Sequence, residues 1–309
     1  MKRFIIYVMA LVLLTVVALS INDLVSYKLV MSSTSNTTYK MYRLFKQSPN
    51  DEIQILGSSR AVLHFVPSLF TQKCFNYGVR GSAMHETLLH LKHAAQINSK
   101  YPIIVNLDAW GFPQDERTIF RGDYKFVLNE PLVRETLPDE LTTFSNRCLG
   151  IRFYGELRTN IATFLYARET TSKRLDNGAV LEKYSPSKRE WEVIIQETLP
   201  KANVEFYCTQ TYQDELDKIY KMTPRPIIWV VGPYPSVWKS KFKGEQLLKS
   251  FLAKQGSYPN VYVFDFYSTL NYSNDLFMDL THLNQKGADK FTNDLIKSLR
   301  ENSKLEVFF

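Results

Sequence analysis

Three short stretches hold the residues whose types and spacing could do chemistry. Gly57-Ser58-Ser59-Arg60 sets two hydroxyls in a glycine-led turn. Asp279-Leu280-Thr281-His282 sets a carboxylate three residues before an imidazole, close enough in sequence to meet it within one turn. His282 is the only one of the five histidines in the last two-thirds of the chain. A serine hydroxyl is a weak nucleophile until a base shares its proton, and the base needs a third group to fix its tautomer. Ser59, His282 and Asp279 could supply those three roles for acyl transfer. The third stretch, Asn76-Tyr77-Gly78-Val79-Arg80-Gly81, is a glycine-bearing turn whose backbone N–H groups could face a developing anion.

Several neighbours compete for a place at such a site. Arg60 could hold a carboxylate or phosphate of a substrate, or form a salt bridge on the rim. His64 could face the same cleft. Asp108 could cap a loop or bond to backbone more readily than act as an acid. Trp110, with Trp229 and Trp238, could stack on a sugar or simply fill the core. His85, His90 and His93 share a stretch with helical spacing, but only Glu86 joins them at ligand spacing, so no metal site is expected. Cys74, Cys148 and Cys208 form no C-x-x-C pair, and the odd count leaves at least one thiol unpaired.

These residues need elements to position them. Glu52–Leu56 alternates polar and apolar residues like a short strand, and the Gly-Ser-Ser turn follows at once. Cys74–Tyr77, Pro102–Leu107, Pro226–Val231 and Val261–Phe266 read as further strands. Helices are expected at Ser82–Gln96, with Ser82 as N-cap, and at Ala288–Leu299 after a turn at Gly287. Short, mostly apolar, β-branched runs separated by helices predict a central parallel sheet in a three-layer α/β/α sandwich, flavodoxin-like in style. Ser59 then falls at the carboxyl end of a strand, where open α/β sheets place ligands. Residues 114–222 break the alternation and read as an insertion, mostly helical, including Glu190–Thr198 and Thr211–Met222.

The 309 residues suffice for one α/β domain within 51–309. The net charge of +7 comes without a dense Lys/Arg run or a nucleic-acid motif, so a solvated basic surface is expected and no nucleic-acid partner. At the N-terminus, Lys2 and Arg3 precede an apolar run, Phe4–Ser20. Its roughly 17 residues would span about 25 Å as a helix, at the short end for a bilayer. The run reads as a signal anchor within residues 1–21, or as a signal peptide cleaved after Ser20. Either exports the rest of the chain, and charge before the run favours a cytoplasmic N-terminus. Residues 22–50, with their Ser/Thr cluster at 32–38, read as a juxtamembrane linker.

Taken in order, the strand–GSS turn, the N-x-x-x-x-G stretch and the D-x-x-H-L-N run before the last helix resemble the SGNH, or GDSL-like, hydrolases. The resemblance covers Glu52 to about Leu299, apart from the insertion. It implies Ser59 as nucleophile, His282 as base, Asp279 as its orienter, and the N–H groups of Ser59 and Gly81 as oxyanion donors, with no cofactor. Two departures stand out. Ser58 replaces the motif's Asp, and Asn106-Leu107-Asp108-Ala109-Trp110-Gly111 offers no match to the family's G-x-N-D, whose Asn completes the oxyanion hole. The layout looks like a divergent membrane-anchored branch, distantly similar to the D-alanyl-transfer protein of teichoic-acid modification and to alginate O-acetylation proteins. That implies an ester hydrolase or O-acyltransferase acting on an envelope glycan, with a multi-pass membrane acyltransferase as a possible partner. The rival is a non-catalytic scaffold of such a complex, which the missing Asn would suit.

Overall fold

The computed structural model describes residues 1–109, 111, 124, 126–136, 161, 165, 170, 172–199 and 205–309. Helix α1 (Lys2–Met31) runs well past the apolar segment. At about 1.5 Å per residue it is about 45 Å long, more than the roughly 30 Å hydrocarbon layer requires. Among the described residues it is the one helix long and apolar enough to cross a membrane. Residues 22–50 are largely helical, where a linker was expected. Asn36 explains part of this: its side chain accepts from the N–H groups of Thr38 and Tyr39 and starts α2 (Thr37–Tyr42). A wide turn, Arg43–Gln47, follows.

The chain divides into two compact units, Met1–Lys46 with Phe120–Arg168, and Gln47–Ile119 with Glu169–Phe309. In the first, the Phe126 ring meets Tyr27 and Tyr42 edge-on, Phe45 meets Tyr124, and Lys46 pairs with Glu130. Part of the expected insertion thus groups with the N-terminal segment.

The second unit holds the sheet. Its strands are β1 (Ile53–Leu56), β2 (Cys74–Asn76), β3 (Ile103–Asn106), β6 (Ile227–Val231) and β7 (Val261–Asp265). They lie in the order β2-β1-β3-β6-β7, all parallel, which is the flavodoxin-like order. Each lies within about a residue of its expected limits. The polar alternation in β1 does not mark a wet face: Gln54 is fully buried, donating to the Pro49 carbonyl and accepting from Arg225. A central parallel strand is covered on both sides, so its polar side chain must be satisfied inside.

Helix α3 (Ser59–His64) follows β1 and packs on the last helix, α8 (Gln285–Arg300). Helix α4 (Met84–Gln96) packs on α6 (Gln210–Met222). Ser82 does not cap α4; its N–H closes a turn on Val79, and the helix begins two residues later. Gly287 lies inside the first turn of α8, which Asn284 caps. A Cβ there would sit 2.1 Å from the Leu276 carbonyl, so the close approach demands glycine.

Within the insertion, a hairpin that composition did not suggest appears: β4 (Lys173–Asp176) pairs antiparallel with β5 (Ala179–Glu182). Its turn, Asn177-Gly178, has positive φ at both residues, as tight hairpins require. The Asn177 carbonyl accepts the Asn76 N–H at 2.8 Å. Helix α5 (Lys188–Thr198) then opens with a Ser187/Glu190 capping box. Helix α7 (Glu245–Gln255) leads to β7.

Candidate active site

β1 is followed by Gly57, at φ +142°, where a Cβ would come 2.9 Å from the Asn106 Cβ. The glycine lets the chain turn sharply into α3. The two serines that follow take different positions. Ser58 is buried, and its hydroxyl accepts the Arg60 N–H as the cap of α3. Ser59, the first residue of the helix, is half-buried, and its Oγ lies 2.8 Å from His282 Nε2.

The His282 segment is a loop that closes on itself before α8. The Met278 N–H donates to the His282 carbonyl, and the Asn284 N–H donates to the Leu276 carbonyl. Asp279 folds the loop: its Oδ1 accepts the N–H groups of Thr281 and His282 at 2.7 and 2.8 Å. Its Oδ2 lies 2.8 Å from His282 Nδ1. With Nδ1–H donating to Asp279, Nε2 is left to accept the Ser59 proton. Burial pushes the Asp279 carboxyl up, but the hydrogen bond and charge of His282 and the two N–H groups outweigh it, and its pKa falls below the ordinary value. The side chains of His282 and Asp279 stay 21% and 37% exposed, so the pair is open to solute while Ser58 beneath is not.

The loop after β2 lies beside this turn, because the Val79 N–H donates to the Gly57 carbonyl at 2.9 Å. Gly81 sits in that loop, exposed, at φ +75°.

Three of the residues expected to contact substrate lie inside the fold. Arg60, His64 and Asp108 are 0%, 0% and 1% exposed, so none of them presents a side chain at the surface. Arg60 donates to the carbonyls of Thr281 and Pro233, lies 3.5 Å from Asp108, and stacks 3.6 Å from the centre of the Tyr234 ring. Asp108 accepts from the Asn106 amide; burial raises its pKa against the pull of Arg60, Ser58, Asn106 and His282. Trp110 lies outside the described residues. Tyr234, whose hydroxyl accepts the Ala109 N–H, was not expected; the only sequence signal there was the Gly232-Pro233 stop after β6.

Other nucleophiles fare worse. Cys74 and Cys208 are free thiols; burial pushes Cys74 well above the usual range and Cys208 up to about 11. Thiolate is therefore scarce at neutral pH. Among the described residues no group of three or more His, Cys, Asp or Glu side chains is placed to hold a metal ion. Cys148 lies outside the described residues.

No family model matches the chain, and no curated protein does. Among solved structures, a match is a Streptococcus pneumonia protein described as a "putative platelet activating factor". It is 14% identical, covers 87% of this chain and 94% of its own, and superposes with a TM-score of 0.39. A likeness of that size assigns neither a family nor an activity.

Proposed function

We propose that this chain is an exported serine-dependent acyl-ester hydrolase or O-acyltransferase that acts on an envelope glycan or a similar substrate. The observation that carries the reading is the pair of 2.8 Å contacts joining Ser59, His282 and Asp279 in series. His282 Nε2 takes the Ser59 proton as Oγ bonds to the acyl carbon. The same proton then goes to the leaving alkoxide as the ester bond breaks, which leaves an acyl-serine. Water, or a glycan hydroxyl, repeats the sequence in reverse and frees Ser59. The N–H groups of Ser59 and Gly81 serve the oxyanion.

One observation favours the rival scaffold reading. The Asn106 amide is committed to Asp108, so among the described residues at the end of β3 it is not free to replace the missing Asn. Loss of one such donor costs about 10²–10³ in rate, which predicts a slow enzyme. The full chain, purified in detergent, should hydrolyse 4-nitrophenyl acetate above the buffer rate. A folded chain with no activity on any small acetyl ester would favour the scaffold.

Helix α1 would hold the protein in a bacterial inner membrane with the catalytic unit outside. Protease added to intact spheroplasts should then digest residues beyond Met31 and leave a membrane-embedded stub that resists carbonate. A soluble periplasmic product starting at Ile21 would instead show a cleaved signal.

A further inference from the structure

Arg60 and His64 stand one helical turn apart on α3, four residues from each other, and so share a face. Both reach the loop that carries the base. Arg60 Nη1 donates to the Thr281 carbonyl, and His64 Nε2 accepts the Leu283 N–H at 3.1 Å. These two backbone groups flank His282 on either side. The same helix begins with Ser59. We propose that Arg60 and His64 are positioning residues that hold the His282 loop in register with Ser59, so that one short helix sets both the nucleophile and the place of its base. The inference rests on the serine-hydrolase reading above.

The clamp is built rather than incidental. Arg60 is fixed on its other sides by the Pro233 carbonyl, the Tyr234 ring and Asp108, which ties the ends of β1, β3 and β6 to the loop before α8. The backbone presses close here: a Cβ on Gly232 would lie 2.9 Å from Arg60 Nη2 and 3.2 Å from His64 Nδ1. The His64 ring stands edge-on to the His282 ring at 6.4 Å. His64 can accept at Nε2 only when neutral. Burial, with the charges of Arg60 and His282, holds its pKa well below the usual imidazole range, against a smaller pull from the Thr281 carbonyl. A purely structural arginine would need no partner on the loop beside the base. A substrate-binding one would need a route to solvent, and Arg60 has none.

The test separates positioning from bulk stability. The full chain in detergent is treated with a fluorophosphonate, and the saturating labelling rate at Ser59 is read apart from the half-saturating concentration. A displacement of about 1 Å at the base costs on the order of 10²-fold in rate. Arg60→Met should therefore lower the saturating rate by about 10²-fold and leave the half-saturating concentration within about threefold. Arg60→Lys, which keeps one donor and the charge, should recover part of the loss. If Arg60→Met does not fold, the His64 pair decides. His64→Gln keeps an acceptor for Leu283 and should label within about threefold of wild type, whereas His64→Leu should be slower by at least about 10-fold. Equal rates in His64→Gln and His64→Leu, or a wild-type rate in folded Arg60→Met, would overturn the clamp alone. A wild-type chain unlabelled at Ser59 would overturn the hydrolase reading and this inference with it.

Discussion

Replacing Ser59 with alanine should lower acetyl-ester turnover by a factor of about 10⁴ or more, and His282→Ala should do nearly as much. In the proposed mechanism the two side chains act on one proton. With either gone the other has no role in the step, so the double variant should be no slower than the worse single one. That non-additivity is the signature to look for in kcat/KM. Ser58→Ala is the control. Ser58 caps α3 and does not face His282, so its loss should cost about 1 kcal/mol of stability and keep turnover within about tenfold of wild type. A Ser58→Ala variant as dead as Ser59→Ala would mean that the cap, rather than the hydroxyl beside His282, is what turnover requires.

Asp279→Asn should be the next most damaging change, lowering kcat by about 10³–10⁴. The amide can present its oxygen either to the two backbone N–H groups or to His282 Nδ1, but not to both, as the carboxylate does. The imidazole then loses the partner that fixes its tautomer. The same carboxylate links stability to pH. Its folded pKa lies below the ordinary value, so the ionised form is favoured by folding. Its contribution is fully present above the unfolded carboxylate pKa of about 3.9 and is lost as pH falls through the lower folded value. The gap in Tm between wild type and Asp279→Asn should therefore be constant near neutrality and shrink below about pH 4. A gap that widens in acid would show that Asp279 does not hold its charge in the folded chain.

The strands were legible because parallel central strands are nearly continuous apolar runs, and β3, β6 and β7 lie where IIVN, IIWVV and VYVFD stand. The meeting of Asp279 with His282 was legible for a similar local reason: a D-x-x-H loop can fold on its own aspartate. The hairpin β4–β5 was missed although Asp176-Asn177-Gly178 is a strong turn signal, because the surrounding polarity hid its short strands. The burial of Arg60, His64 and Asp108 was not legible. A charged residue beside a nucleophile reads as a substrate contact, and only tertiary packing shows that its head points down, to carbonyls more than 170 residues away in sequence. The helicity of residues 22–50 was hidden by the Ser/Thr cluster, where one Asn acts as a cap.

The most direct measurement is the identity of the residue that a fluorophosphonate modifies in the full chain, read by peptide mass spectrometry after long incubation. The expected result is a single adduct at Ser59, absent in Ser59→Ala, sharply reduced in His282→Ala and largely retained in Ser58→Ala. A folded wild-type chain that stays unmodified, or an adduct at Ser58 that survives Ser59→Ala, would contradict Ser59 as the nucleophile.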